Sequence, residues 1–347
     1  MANISIASRC NRDCSYCFAM ETLDHVDEAS SFMSIETFRK TLDFLIRSQI
    51  NEARLLGGEP TIHPRFSEFV DLALDCGMTV TIFSGGLIPN KVLEKLESIP
   101  TEQIGVLVNV IPPSEPTPTA RDRQAEVFRR LGQRIVLGLN IDSPSVDLWF
   151  LLDLIAEYNL APSIRLGLAH PILGGTNRYL HPRQYPEVGR RVAAFGLEAL
   201  ARGVQLGFDC GWVPCMFPDG ALETLGKGPD EVGLRCNPII DILPNGQTIS
   251  CYPLANHSQQ SLPMTHDAFW LRSEFIDEQK SDRAVMLYKE CAACEWRARG
   301  ECTGGCLAGS MRRLRSGNSS IPLHSNPVIA EKAGYSNSEL LQISKKL

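Results

Sequence analysis

The chain has no window approaching the roughly 20 consecutive apolar residues of a membrane span, and Met1 to Cys10 lacks a charged leader followed by an apolar run. A soluble protein of the cytoplasm is expected, with no membrane partner. Long basic runs are also missing: 34 Lys and Arg face 40 Asp and Glu, a net charge of -6. Phosphate backbones are held by clustered Lys and Arg, so nucleic acid is not an expected partner. No internal repeat or low-complexity tract changes this reading. Cysteine, by contrast, is plentiful, with 12 in 347 residues. A chain this long closes a complete core without covalent staples, and thiols in a reducing compartment rarely form disulfides. These thiols are therefore expected to be metal ligands or small buried apolar groups, and their spacing decides between the two.

From residue 3 to about 209, short apolar runs alternate with amphipathic stretches, the pattern of repeated β-α units on a parallel sheet. The strands expected are Ile4-Ala7, Glu52-Leu56, Thr79-Phe83, Ile104-Val110, Ile135-Ile141 and Ser163-Leu168. Ser34 is placed to cap a helix with Glu36 in its first turn and a stripe of Phe38, Leu42, Leu45 and Ile46. Further helices are expected at Pro64-Cys76, Lys91-Ser98, Ala120-Leu131, Ser145-Tyr158 and Tyr185-Arg202, with Cys76 as a small buried side chain. The order allows an α/β, six-unit, incompletely closed TIM-like barrel over residues 1–208. After Asp209 the texture shifts to Gly, Pro and Cys, and Pro244-Asn245-Gly246 reads as a hairpin turn. A second, Cys-rich domain is expected at 209–317, followed by a tail or docking helix at 318–347.

Cys10, Cys14 and Cys17 put three thiols within eight residues, directly after the first strand. Zinc and closed iron-sulfur clusters usually take four ligands, so three leave a metal position open unless a distant Cys or His completes a structural zinc site. With Tyr16 just before the third cysteine, this CxxxCxxC run resembles the signature of radical S-adenosylmethionine (SAM) enzymes. Gly57-Gly58-Glu59-Pro60, at the end of the next strand, resembles that family's GGEP motif. The resemblance implies a [4Fe-4S] cluster on the three thiolates, with the methionine part of SAM on its fourth iron. Gly57 and Gly58 would let the backbone approach the cofactor, and Glu59 would accept from its amino group. Ser84, Asn109 and Asn140 sit at later strand ends where the family places cofactor contacts. Arg165, a charge inside a strand, calls for a carboxylate or anionic partner, a cofactor carboxylate being one candidate.

Eight more thiols follow: Cys210, Cys215, Cys236, Cys251, Cys291, Cys294, Cys302 and Cys306. Their pattern resembles the SPASM extension of radical SAM enzymes, which carries auxiliary iron-sulfur clusters. It departs from that extension in placing seven residues between Cys294 and Cys302 and in having no cysteine after Cys306. The resemblance implies that Cys236, Cys251 and Cys306, with Cys210 or Cys215, hold one cluster. Cys291, Cys294 and Cys302 would hold a second whose fourth ligand is the remaining upstream thiol, another side chain or none. One or two auxiliary [4Fe-4S] clusters are thus expected, with zinc as the alternative for the CxxC pair.

The resemblance implies an enzyme that reductively cleaves SAM to a 5'-deoxyadenosyl radical and abstracts hydrogen from its substrate. A flavodoxin- or ferredoxin-type protein would donate the electron. Oxidative modification of a ribosomally made peptide is the leading expectation. A small-molecule dehydrogenase or epimerase, or a non-catalytic iron-sulfur or zinc scaffold, is the alternative. Asp209, Tyr252 and His170 are the candidates for handling a proton or touching substrate, none of them assigned as a general base. Sulfatase-maturing relatives commonly carry Asp where this chain has Tyr252, which disfavours that activity.

Overall fold

A computed structural model describes residues 1–23, 31–115, 117–228, 231–284 and 289–315. The six expected strands are present as Asn3–Ala7 (β1), Glu52–Gly57 (β2), Thr79–Ser84 (β3), Ile104–Asn109 (β4), Ile135–Ile141 (β5) and Ser163–Leu168 (β6). A seventh, Gln205–Phe208 (β7), pairs with β6, and all seven run parallel. With β7 at the end of the sheet order, this is an open, partial (β/α) barrel.

Side chains alternate between the two faces of each strand. On β2, Ala53 and Leu55 are fully buried, whereas Glu52, Arg54 and Leu56 face the barrel lumen and stay partly accessible. On β3, Val80 and Ile82 are buried in the main core while Thr81 and Phe83 point inward. The outward row packs on helices that follow each strand. In Ile35–Arg47, the Ser34 hydroxyl accepts from the Thr37 N–H at 3.0 Å, and Phe38, Leu42 and Leu45 are buried. Each such side chain contributes roughly 1.5–3 kcal/mol by leaving water. Ile46, expected on the same stripe, is instead 51% exposed, because it lies at the edge of the buried arc.

Two further expectations need correcting. The helix expected from Ser145 starts only at Phe150. Local bonds compete with it: the Trp149 N–H donates to the Asp147 carboxylate at 3.0 Å, and the Ser143 and Ser145 hydroxyls pair at 2.9 Å. Cys76 is exposed rather than buried, since it caps Phe66–Asp75 just where Gly77 turns the chain at φ 75°.

The hairpin around Gly246 forms as expected. Asp241–Ile242 (β8) pairs antiparallel with Gln247–Ile249 (β9), which pairs with Gln259–Ser261 (β10), and Gly246 takes φ 81° in the turn. β8 also pairs in parallel with β1, joining Asn3 to Asp241. The Cys-rich segment therefore extends the barrel sheet, giving ten strands in one sheet among the described residues. The tail at 318–347 lies outside the described residues.

Candidate active site

The loop after β1 carries Cys10, Cys14 and Cys17 at the C-terminal end of the barrel, with the Cys17 N–H donating to the Cys14 carbonyl at 2.9 Å. Desolvation, and then the charges of Glu59, Cys14 and Cys17, push the Cys10 thiol up to about 11. The three sulfurs and Glu59 thus share one locality. Tyr16 lies beside the Cys14 thiol, and its own hydroxyl is pushed up by burial.

Gly57 and Gly58 are required by the backbone of this loop. Gly57 has φ 147°, and a Cβ there would lie 2.1 Å from the Ala7 carbonyl oxygen; one on Gly58 would lie 2.1 Å from that of Arg9. That close approach lets the Gly58 and Glu59 N–H groups donate to Ala7 and Arg9 at 2.8 and 2.7 Å. Pro60 then opens a short 3₁₀ turn, Pro60–Ile62, with Glu59 as its cap. The fully buried Glu59 carboxylate accepts from the Thr61 hydroxyl at 2.5 Å, the Ser84 hydroxyl at 3.0 and 3.1 Å and the Gly85 N–H at 2.8 Å. Burial pushes its carboxyl above the usual carboxylate range, and these uncharged donors offset that only in part.

Two residues not singled out by the sequence pattern join this mouth. Arg12 donates to the carbonyls of Asn109 at 2.9 Å and Gly85 at 3.4 Å, and Gln124 donates to the same two at 3.1 and 2.7 Å. Inside the lumen, Asn140 donates to the Asn109 side chain at 3.5 Å. A Cβ on Gly167 would meet the Asn140 oxygen at 2.4 Å and the Asp209 carboxylate at 3.0 Å. Arg165, where an anionic partner was expected, has one within the chain: Nε donates to Asp209 at 2.7 Å, and a second nitrogen pairs with the other carboxylate oxygen.

The eight later thiols fall into two sets of four. Burial first, and then the charges of Cys236, Cys306 and Cys210, push Cys251 well above the usual thiol value. Cys236 is raised to about 11 by burial and Cys306, and Cys210 is raised by burial and then by Cys236 and Cys306, against a lowering bond from His170. Cys215 belongs elsewhere: desolvation and then Cys291, Cys302 and Cys294 raise it to about 12. Cys210 thus shares its surroundings with Cys236 and Cys306, and Cys215 with Cys291, Cys294 and Cys302. His170 is buried, with its Nε2 3.0 Å from the Cys210 carbonyl oxygen. Asn177 donates to the carbonyls of both His170, at 2.9 Å, and Tyr16, at 3.3 Å, so one loop links the two cysteine regions. Tyr252 is buried beside Phe18, its hydroxyl facing Ser5 without a well-formed hydrogen bond.

The donor chemistry fits iron-sulfur clusters. Thiols raised by desolvation and mutual charge are poor free thiolates, and a cationic metal centre removes that penalty. Among the described residues, no three His, Cys, Asp or Glu side chains are arranged to hold a single metal ion. At Glu59, a buried carboxylate whose partners are all uncharged fits a cationic amino group.

Residues 4–167, just under half of the chain, match the Radical SAM superfamily. The cofactors of that superfamily are a [4Fe-4S] cluster and SAM. The chain is 29% identical over 109 residues to the antilisterial bacteriocin subtilosin biosynthesis protein AlbA of Bacillus subtilis, covering 31% of this chain and 23% of AlbA. It is 29% identical over 119 residues to an S-adenosylmethionine-dependent nucleotide dehydratase of Selenomonas ruminantium, covering 32% of this chain and 39% of that protein. The matched segments thus span well under half of either relative. The fold is similar to that of Streptococcus suis SuiB bound to S-adenosylmethionine, with a TM-score of 0.67 at 14% identity over 94% of this chain and 76% of SuiB. Among the described residues no helix is long and apolar enough to cross a membrane.

Proposed function

We propose that this chain is a radical SAM oxidoreductase that modifies a ribosomally made peptide. The observation that carries the reading is the meeting of three thiols on the β1 loop with the buried Glu59 carboxylate at one barrel mouth. The peptide part is supported by the likeness to AlbA, a bacteriocin biosynthesis protein, and to SuiB, whose structure is also known with its precursor peptide SuiA.

In this reading Cys10, Cys14 and Cys17 hold the cluster that binds SAM, and Glu59 receives the SAM amino group. Ser84, Gly85 and Thr61 fix the carboxylate. Bound there, cluster and cofactor supply reductive cleavage of SAM to methionine and a 5'-deoxyadenosyl radical. The protein's part is to place a substrate C–H bond near that radical and to exclude competing hydrogen donors. Asn109, Asn140 and Asp209 form the polar wall available for this. Cys210, Cys236, Cys251 and Cys306 hold one auxiliary cluster, and Cys215, Cys291, Cys294 and Cys302 the other, with a flavodoxin- or ferredoxin-type donor outside. Clusters held by these thiols would supply one-electron redox chemistry next to the barrel, which is the support for an oxidative outcome. Residues 1–208 form the barrel unit, and 209–317 the cluster-bearing unit.

Anaerobic reconstitution followed by a SAM-cleavage assay tests the reading: 5'-deoxyadenosine should form, and Cys14→Ala should abolish it. A zinc-loaded protein that forms none would overturn it. The small-molecule alternative is favoured by the likeness to the nucleotide dehydratase, and nucleotide substrates in the same assay separate the two.

A further inference from the structure

We infer that the lumen beneath the candidate SAM site binds a carboxylate of the substrate through the guanidinium of Arg54, an inference that rests on the peptide-modifying reading above. Arg54 faces inward from the middle of β2, in register with Asn3 of β1 and Thr81 of β3. Its side chain is only 17% exposed. Nε is buried without a hydrogen bond, and the nearest carboxylate, Glu52, stands 3.9 Å away. The other Glu52 oxygen is taken by the Thr81 hydroxyl at 2.5 Å. Burial pulls the guanidinium below the usual arginine range. A largely desolvated cation with so little compensation is costly unless an anion completes it.

The contrast with Arg165 sharpens the point. Both guanidiniums lie against the Phe83 ring, at 4.8 Å for Arg54 and 5.5 Å for Arg165, yet Arg165 is paired on two nitrogens with Asp209. Space for a ligand is present alongside. Gly105 neighbours Thr81 and Gly207 neighbours Arg165, both on lumen faces. A Cβ on Gly105 would meet nothing within 4 Å, and one on Gly207 only the Ile164 carbonyl oxygen at 3.9 Å. Glycine at these two inward positions leaves the lumen open on the face where the Arg54 Nε lacks a hydrogen bond.

Charge selects the class of anion. Arg165 is paired with Asp209 and Glu52 stands 3.9 Å from Arg54, so the two cations already face carboxylates and a ligand of low charge is favoured. A phosphate dianion would bring a double negative charge beside Glu52, Asp209 and Asp241. A carboxylate, which matches the planar guanidinium fork, is therefore the ligand. Phe83 immediately precedes Ser84, which holds Glu59, so an acidic group on Arg54 would anchor the substrate just below the cofactor.

The test is isothermal titration of the reconstituted protein with N-acetylglutamate N-methylamide, its glutamine counterpart, N-acetylalanine and inorganic phosphate. The glutamate derivative or N-acetylalanine should bind, identifying a side-chain or a terminal carboxylate respectively, and the neutral glutamine compound should not. Arg54→Met should weaken the bound carboxylate at least ten-fold. Gly207→Val, which fills the open space without altering charge, should weaken it similarly and serves if the Arg54 variant fails to fold. Equal affinity in wild type and variants, no carboxylate binding, or tighter binding of phosphate overturns the inference. Wild-type protein that cleaves SAM yet binds neither carboxylate refutes this site alone. Protein that binds a carboxylate but cannot cleave SAM refutes the enzymatic reading instead.

Discussion

Arg12, between Cys10 and Cys14, donates to the carbonyl of Asn109 at 2.9 Å, tying the first cysteine loop to the end of β4 across the barrel mouth. Gln124 donates to the same carbonyl from the outer helix, so the anchor that Arg12 uses is itself held in place. Replacing Arg12 by Met strips a charged donor and leaves two carbonyls under-satisfied. A stability loss of about 1–3 kcal/mol is expected. Iron bound by the first loop should be lost to a chelator faster than in wild type, while iron elsewhere is retained, as read by timed iron release.

Ser84 is predicted to act through Glu59. Its hydroxyl donates to both carboxylate oxygens, and the Gly86 N–H in turn donates to that hydroxyl at 2.9 Å. Ser84→Ala removes a bond to a buried charged group, worth roughly 1.5–3 kcal/mol. SAM should bind about ten- to a hundred-fold more weakly by equilibrium dialysis, with the iron content unchanged. Unaltered SAM affinity would show that Glu59 does not meet the cofactor.

The division of the eight thiols predicts a specific pattern in double variants. Cys210→Ala with Cys236→Ala should cost one cluster's worth of iron, no more than either change alone, since both serve one site. Cys210→Ala with Cys215→Ala should cost two. Iron and sulfide analysis reads both, and equal losses in the two pairs would contradict the division.

Asp241, buried where β8 meets β1, accepts from the Asn3 side-chain amide at 2.7 Å. Burial raises its carboxyl to about 7, against lowering by Asn3 and the Arg54 charge. The folded chain keeps this proton where the unfolded chain has released it, from about pH 4 upward. Stability from this group is therefore complete below its unfolded value, falls as pH rises to about 7, and is level above that. Asp241→Asn should flatten the fall, raising the melting temperature at pH 8 relative to wild type while changing little at pH 4. A variant with the wild-type pH profile would contradict this.

Much of the fold was legible because the signals are local. Strands of the Ile104–Asn109 kind are continuous apolar runs, and Ser34 announces its helix by capping chemistry. β7 was not legible: Gln-Leu-Gly-Phe is short and carries glycine, and only pairing with β6 makes it a strand. The junction of β8 with β1 joins residues 238 positions apart, beyond any sequence periodicity. At the candidate site, the cysteines and Gly57–Pro60 stood out through their resemblance to the family's two motifs. Arg12 and Arg54 did not, because a lone arginine in a loop or strand looks the same whether it meets water or the lumen. That Cys210 rather than Cys215 lies among the charges acting on Cys251 is a matter of tertiary packing, which spacing does not reveal.

The most direct test concerns the open iron proposed on Cys10, Cys14 and Cys17. In reconstituted, reduced protein carrying Ala at Cys236, Cys251, Cys291 and Cys294, electron paramagnetic resonance should show a single [4Fe-4S] signal whose g-values shift when SAM is added. A spectrum indifferent to SAM, or zinc in place of iron on those three thiols, would contradict the account.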